Sequence, residues 1–180
     1  MKIIVTTGNP CKLKELDHYM KGTNVNFESR DTKIKELQTF NESDLLKDKL
    51  EKAFTIFKEP VLVEHASLYL EILNGFPGGL TEIFWETLQA DKFCELFKGT
   101  KIVAKTNIGY CDGRYTYYFQ GESEGIISDQ PRGDRKFQWD CIFIPLGYDK
   151  TYAELGEKKL EISMRKKAFD RFKLFIEDQK

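Results

Sequence analysis

The stretch Val61–Leu70 reads VLVEHASLYL. Three apolar residues, Val61, Leu62 and Val63, run straight into Glu64 and His65, and His65 is one of only two histidines in the chain. A short apolar run of this kind is the pattern of a buried strand. The spacing predicts a strand that leaves the core at Glu64. A carboxylate and an imidazole at that point pose a question: the strand either delivers a chemical site or simply ends in solvent.

Downstream, NGFPGG (residues 74–79) is a strong turn signal. TEIFWETL and DKFCELFKG then read as two short helices. KIVAKTNIGYCDG and RYTYYFQGESEGII read as long strands joined at CDGR, an Asp-Gly hairpin turn. DRKFQWDCIFIPLG is apolar and aromatic around the acid Asp140. The end, EKKLEISMRKKAFDRFKLFIE, reads as one basic amphipathic helix with Leu160, Met164, Ala168, Phe172 and Phe175 at helical spacing, and its basic and aromatic surface is either a partner surface or a solvated face.

Upstream, SDLLKDKLEKAFTIFK sets Leu46, Leu50, Ala53, Phe54 and Phe57 on one helical face. The chain begins with KIIVTT, a short buried strand, broken by GNP, and continues into CKLKELDHYMK, where Leu13, Leu16 and Met20 fall at helical spacing. Strand, polar turn and helix aim backbone N–H groups and the positive helix end at an anion. Lys12 in the first turn suits a phosphate placed there; the alternative is an ordinary surface lysine. Strands and helices interleave along the chain, which predicts an α/β mixed domain over residues 1–180.

Composition narrows the functional classes. The chain of 180 residues is 41% hydrophobic and 32% charged, in the range of a globular protein. Its formal charge of −1 gives no bulk electrostatic case for nucleic acid. No run approaches the roughly 20 apolar residues of a membrane helix. Cys11, Cys94, Cys111 and Cys141 are widely spaced with no CxxC pair, which argues against structural zinc and for reduced thiols in a cytoplasm.

Several polar stretches taken in order carry a resemblance. They are Thr7-Gly8-Asn9 with Lys12, then Glu36, VEHASL, LNGFPGG, FQGESEG, FQWDCIF, TYAEL and KLEISMR. In this register the chain resembles the inosine triphosphate pyrophosphatase family of house-cleaning nucleotide hydrolases over nearly its whole length. The resemblance implies the Maf/Ham type of α/β fold: a long mixed central sheet with flanking helices, in two lobes around a nucleotide cleft. It implies a homodimer, Mg²⁺, and cleavage of deaminated purine triphosphates (of inosine, deoxyinosine or xanthosine) to the monophosphate and pyrophosphate. Carried over position by position, Thr7, Asn9, Lys12, Lys49 and Lys159 match phosphate contacts, and Glu36 and Glu64 match metal ligands. Phe137, Trp139, Asp140, Ser163 and Arg165 match the nucleotide pocket. Aromatic stacking is worth about 1–3 kcal/mol per base; core packing is the competing role for Phe137 and Trp139. Arg165 has donors only, so it suits a 6-oxo purine and not a 6-amino one.

Two departures matter. Where the family pattern has V-E-D, this chain has Val63-Glu64-His65, so the carboxylate credited with activating water is an imidazole. Where it has S-H-R, this chain has Ser163-Met164-Arg165. Gln138, Cys141 and Leu160 are milder replacements. Gripping residues kept and hydrolytic acid lost is the pattern of a binder derived from an enzyme. The expectation is a sensor or regulatory subunit for a deaminated purine triphosphate. By analogy, degenerate relatives in antiphage systems of the Kongming type read deoxyinosine triphosphate and act with a Sir2-like NAD-consuming effector. The rival is an active Mg²⁺-dependent pyrophosphatase, with His65 as base or Glu64 as sole acid.

Overall fold

The structure is a computed structural model that describes residues 1–178. Its centre is one mixed sheet. Strands β1 (Lys2–Val5), β2 (Asn26–Ser29), β3 (Val61–Leu70), β5 (Lys101–Cys111), β6 (Thr116–Ile127) and β7 (Phe143–Pro145) lie in the order β2-β1-β3-β5-β6-β7, and the short β4 (Pro77–Gly78) pairs with the far end of β3. β2, β1 and β3 are parallel; from β3 to β7 the pairing is antiparallel. This is the mixed α/β sheet that the interleaved strands and helices predict. The β5–β6 hairpin closes at Asp112-Gly113, with Gly113 at φ 104° and the Asp112 carboxylate accepting from the backbone N–H groups of Arg114 and Tyr115.

Helices α1 (Pro10–Tyr19), α2 (Glu42–Phe57), α3 (Thr81–Phe97) and α6 (Met164–Asp178) flank the sheet, with short α4 (Tyr152–Leu155) and α5 (Lys159–Ile162) before the last. α2 starts on Asn41, whose side chain accepts from Ser43 N, and carries Glu42 and Asp44 in its first turn, where acids favour the helix dipole. Leu45, Leu46, Leu50 and Ala53 are its buried face. α3 holds the two short helices of the sequence reading, joined at Gln89, whose backbone is not helical.

Two expectations are corrected. β3 does not leave the core at Glu64: it runs unbroken to Leu70, and His65 and Ser67 are 6% and 0% exposed. Both its faces are covered: Val61 and Val63 are buried in one core cluster, and Leu62, Leu68 and Leu70, which point the other way, are buried in others. The C-terminal stretch is not one helix either. Ser163 is extended (φ −69°, ψ 159°), and its hydroxyl accepts from Lys166 N, which caps α6 and separates it from α5. The apolar face of α6 is not free for a partner, since Phe172 and Phe175 pack on Tyr110, Tyr117 and Phe119 of the chain's own sheet.

The two glycines of FQGESEG explain how closely these layers approach. A Cβ at Gly121 would lie 2.1 Å from Met164 O, and one at Gly125 would lie 2.4 Å from Ile144 O. Any side chain there would push α6 or β7 off the sheet. Among the described residues no helix is long and apolar enough to cross a membrane, and the four cysteines are free.

Candidate functional site

The turn between β1 and α1 organises the site. Asn9 caps α1: its side chain accepts from Cys11 N at 2.9 Å and Lys12 N at 3.4 Å, and Pro10 fills the first helical position. Thr7 Oγ1 accepts from Asn9 N. The Asn9 side chain is therefore spent on the helix. Lys12 then projects from the first turn into a small cavity of about 30 Å³ at the carboxyl end of β1, shared with Thr7, Lys49 and Glu64. A larger cavity, about 410 Å³, is lined by Glu15, Phe137, Asp140, Tyr152, Lys159 and Leu160, among others. That volume lies in the range of small-molecule sites.

A chain of buried charges joins the two. Asp140 accepts from Lys159 at 2.6 Å, and Lys159 also donates to Glu15 at 2.8 Å. Arg165 Nη1 donates to Glu15 at 2.6 Å, while its Nε and Nη2 both reach Glu64 Oε1 at 2.8 Å. Lys12 stands 3.8 Å from the same Glu64 oxygen. Burial pushes the Glu64 carboxyl up, but the charges of Arg165 and Lys12 outweigh it and hold it at about 2. Burial lowers the Lys12 ammonium, against the pull of Glu64. Phe137 lies under this row, with Lys159 Nζ 3.9 Å and Arg165 Cζ 5.1 Å from its ring centre.

On the other side of β3 a smaller group forms. Lys49 donates to Glu36 at 2.5 Å and to the Glu64 carbonyl at 3.0 Å, and His65 Nδ1 faces the second Glu36 oxygen at 3.7 Å. Burial pushes Glu36 up, and the facing His65 and Lys49 more than cancel it, leaving it at about 2.

The geometry gathers Lys12, Glu64, Asp140, Lys159, Arg165 and Phe137 along one line and sets Glu36, Lys49 and His65 beside it. Two expected site residues, Trp139 and Ser163, fall elsewhere, and a third, Arg165, lies in the row but is engaged. Trp139 is 4% exposed and belongs to the core with Leu68, Phe93 and Phe143, so of the aromatic pair only Phe137 lines the cavity. Ser163 is 0% exposed, its hydroxyl used by Tyr19 and the α6 cap. Arg165, 2% exposed, spends its fork on two carboxylates and is not a free reader of a base. The residue that sequence reasoning missed is Glu15. No local sequence pattern marks it, because its partners Lys159 and Arg165 lie 144 and 150 residues away.

Gln138 stands where the resemblance calls for glycine, and its φ of 41° keeps the glycine-like left-handed backbone. A non-glycine residue there costs about 1–2 kcal/mol, part of it recovered because glycine is freer when unfolded. Gln138→Gly is expected to stabilise the fold by about 0.5–1 kcal/mol, read as a raised urea midpoint at constant slope. A lower midpoint would mean the Gln138 side chain contributes more than its backbone costs.

The depressed Glu36 and Glu64 carboxyls set a pH dependence. Their folded values of about 2 lie below the ordinary 4.5, so the stability they add is present above pH 4.5 and is lost as pH falls towards 2. Urea midpoints measured across that window are expected to fall steeply, and Glu64→Gln is expected to flatten the fall. A flat wild-type profile would contradict the ion-paired state of both groups.

A mixed sheet of this order, with its charges gathered between α1 and α6, defines a mixed α/β protein of the Ham1 fold class. The chain belongs to the Ham1 family, whose pattern matches residues 3–175. It is 35% identical over 177 residues to a dITP/XTP pyrophosphatase of Methanopyrus kandleri, covering 96% of this chain and 94% of that one. It is 34% identical over 186 residues to an inosine triphosphate pyrophosphatase of Yarrowia lipolytica, covering 99% and 97%. A HAM1 protein from Coxiella burnetii shares the fold with a TM-score of 0.82 at 22% identity, with 99% of each chain covered. The Ham1 protein of Staphylococcus aureus does so at 0.75 and 21%, with all of both chains covered.

Proposed function

We propose that this chain binds deaminated purine nucleoside triphosphates and hydrolyses them slowly or not at all, as a sensor or regulatory subunit. The observation that carries the reading is the row of buried charges between the two cavities: Lys12 and Glu64 at the smaller one, which Lys49 also lines, then Arg165 and Glu15, then Lys159 and Asp140 at the Phe137-faced one. Phosphates would meet Lys12, Lys49, Thr7 and the α1 N-terminus. The purine would stack on Phe137. Its 6-oxo group would meet donors of the Lys159–Glu15–Arg165 row, once nucleotide competes with the carboxylates now holding them. Names of the relatives, dITP/XTP and inosine triphosphate pyrophosphatases, support the substrate class.

His65 supports the impaired half. At the expected base position an imidazole replaces a carboxylate, and loss of a positioned base costs about 10²–10⁴-fold. The Mg²⁺ that the resemblance implies fits this donor set poorly. Glu64 is claimed by Arg165 and Lys12, and the free Glu36 oxygen has an imidazole for its neighbour. Among the described residues no three His, Cys, Asp or Glu side chains converge as a metal site. No step of the reading depends on that ion. Assembly as a homodimer, work in a reducing cytoplasm and coupling to a Sir2-like effector in antiphage defence complete the proposal. The free thiols support the compartment, and the analogy with degenerate relatives supports the partner.

The test is to incubate the protein with dITP, ITP, XTP and ATP and to measure binding and pyrophosphate release separately. Tight dITP binding over ATP with little release is expected. Rapid release overturns the sensor in favour of a working pyrophosphatase, and failure of every purine triphosphate to bind overturns both.

A further inference from the structure

We propose that the segment 30–41, between β2 and α2, is an autoinhibitory strap: its carboxylates Asp31 and Glu36 hold the anion positions of the site, and a phosphate chain enters only by displacing them. The segment carries no helix or strand. It is fastened along its length instead. Arg30 N donates to Val5 O at 3.0 Å, and Lys52 Nζ donates to Lys35 O at 2.9 Å. At the far end Gly79 N donates to Phe40 O at 3.2 Å. The two glycines of that turn form the seat. A Cβ at Gly78 would meet the Phe40 ring at 3.0 Å, and one at Gly79 would stand 2.3 Å from Thr39 O.

What the strap turns towards the site is negative charge. Glu36 accepts at 2.5 Å from Lys49, which lines the smaller cavity beside Lys12. Asp31 covers the turn that leads into α1: a Cβ at Gly8 would lie 2.7 Å from its Oδ2. A helix N-terminus and a lysine beside it favour an anion, and here each already faces a carboxylate of the chain itself. The cavity behind them holds about 30 Å³. That is room for a water or two, far below the ~300 Å³ at which small-molecule sites begin. A phosphate chain therefore gains Lys49 only when Glu36 releases it. Glu36 lies mid-strap, so its release loosens the segment towards Phe40. The work of opening lowers the apparent affinity of any anion that needs the open state. The inference rests on the nucleotide reading for its ligand and adds the movement that binding produces. Leu37 and Phe40, 41% and 50% exposed, travel with the strap, so occupancy of the site becomes a change of apolar surface.

The test uses the full chain in EDTA, without added metal, and inorganic tripolyphosphate as the probe. Glu36→Gln removes the competing charge and keeps the size of the side chain. Calorimetry should show it binding tripolyphosphate about tenfold more tightly than the wild type, and Asp31→Asn about threefold, with both gains shrinking in high salt. Hydrogen exchange of the Gly79 amide, which donates to Phe40, reports the strap directly. Saturating the wild type with tripolyphosphate should speed that exchange several-fold and leave the amides of the β3–β5 ladder unchanged. Equal or weaker tripolyphosphate binding by Glu36→Gln, or a Gly79 amide indifferent to bound tripolyphosphate, would overturn the proposal. ITP run in parallel keeps the two readings apart. A strap that opens to both ligands, with ITP bound no more tightly than tripolyphosphate, sinks only the nucleotide reading. Tight ITP binding with the Gly79 amide still protected sinks only this one.

Discussion

Arg165→Ala is expected to destabilise the fold by about 3–5 kcal/mol, the cost of removing one partner from a buried ion pair. For a chain of this length that is a drop in Tm of roughly 6–20 °C. The reason is what stays behind. Arg165 stands between Glu15 and Glu64, and both carboxylates are nearly enclosed. Without it, Glu15 keeps Lys159, but Glu64 keeps only Lys12 at 3.8 Å. A pH series separates this cause from a simple cavity. In the wild type Glu64 lies at about 2, and its stabilisation is lost on acidification. In the variant the largest opposing charge is gone and only Lys12 and Lys49 still oppose burial, so the folded value of Glu64 rises from about 2. Less of its stabilisation is then left to lose as pH falls. The stability gap between the two proteins should therefore narrow towards pH 3. A gap constant with pH would mean the loss is packing alone. Arg165→Lys keeps the charge but not the fork, and should fall between them.

This network also shows where sequence reading stops. The strands and the two long helices were legible because apolar period and capping are local: Val61, Leu62 and Val63 for β3, Asn9 and Pro10 for α1, the face of Leu46, Leu50 and Ala53 for α2. The break at Ser163 was not legible. The apolar spacing from Leu160 to Phe175 continues through it, and only the hydroxyl's choice to cap Lys166 N reveals it. Trp139 and Phe137 are equally aromatic on paper; the turn at Gln138–Cys141 sends one to the core and the other to the cavity. His65 was read as a site residue where the strand leaves the core; the structure buries it and sets it beside Glu36, and its burial was missed because alternation in a strand covered on both faces carries no inside–outside signal. Glu15 and Arg165 are 150 residues apart, and no local pattern pairs them. The positions of charged groups were thus legible from motif register, whereas their partners were set by tertiary packing.

His65→Asp is expected to raise pyrophosphate release from dITP by about 10²–10⁴-fold, the usual worth of a positioned base. At 1.36 kcal/mol per tenfold this asks the new carboxylate for about 2.7–5.4 kcal/mol of transition-state stabilisation. The position can supply it. Residue 65 points at Glu36 from a strand paired along its full length, so an aspartate there would be held rather than mobile. It would carry a fixed negative charge at neutral pH, unlike an imidazole, and could orient a water towards the phosphates expected at Lys12 and Lys49. The Lys49 ammonium, 2.5 Å from Glu36, moderates the repulsion between two neighbouring acids. Steady-state release of pyrophosphate checks the rate, and a parallel titration checks that dITP affinity changes by only a few-fold. A rate that rises while affinity holds places the block at residue 65 alone. An unchanged rate with intact binding would move the block to the other departures from the family pattern, Gln138, Cys141 and Met164, the last two of which lie in the core.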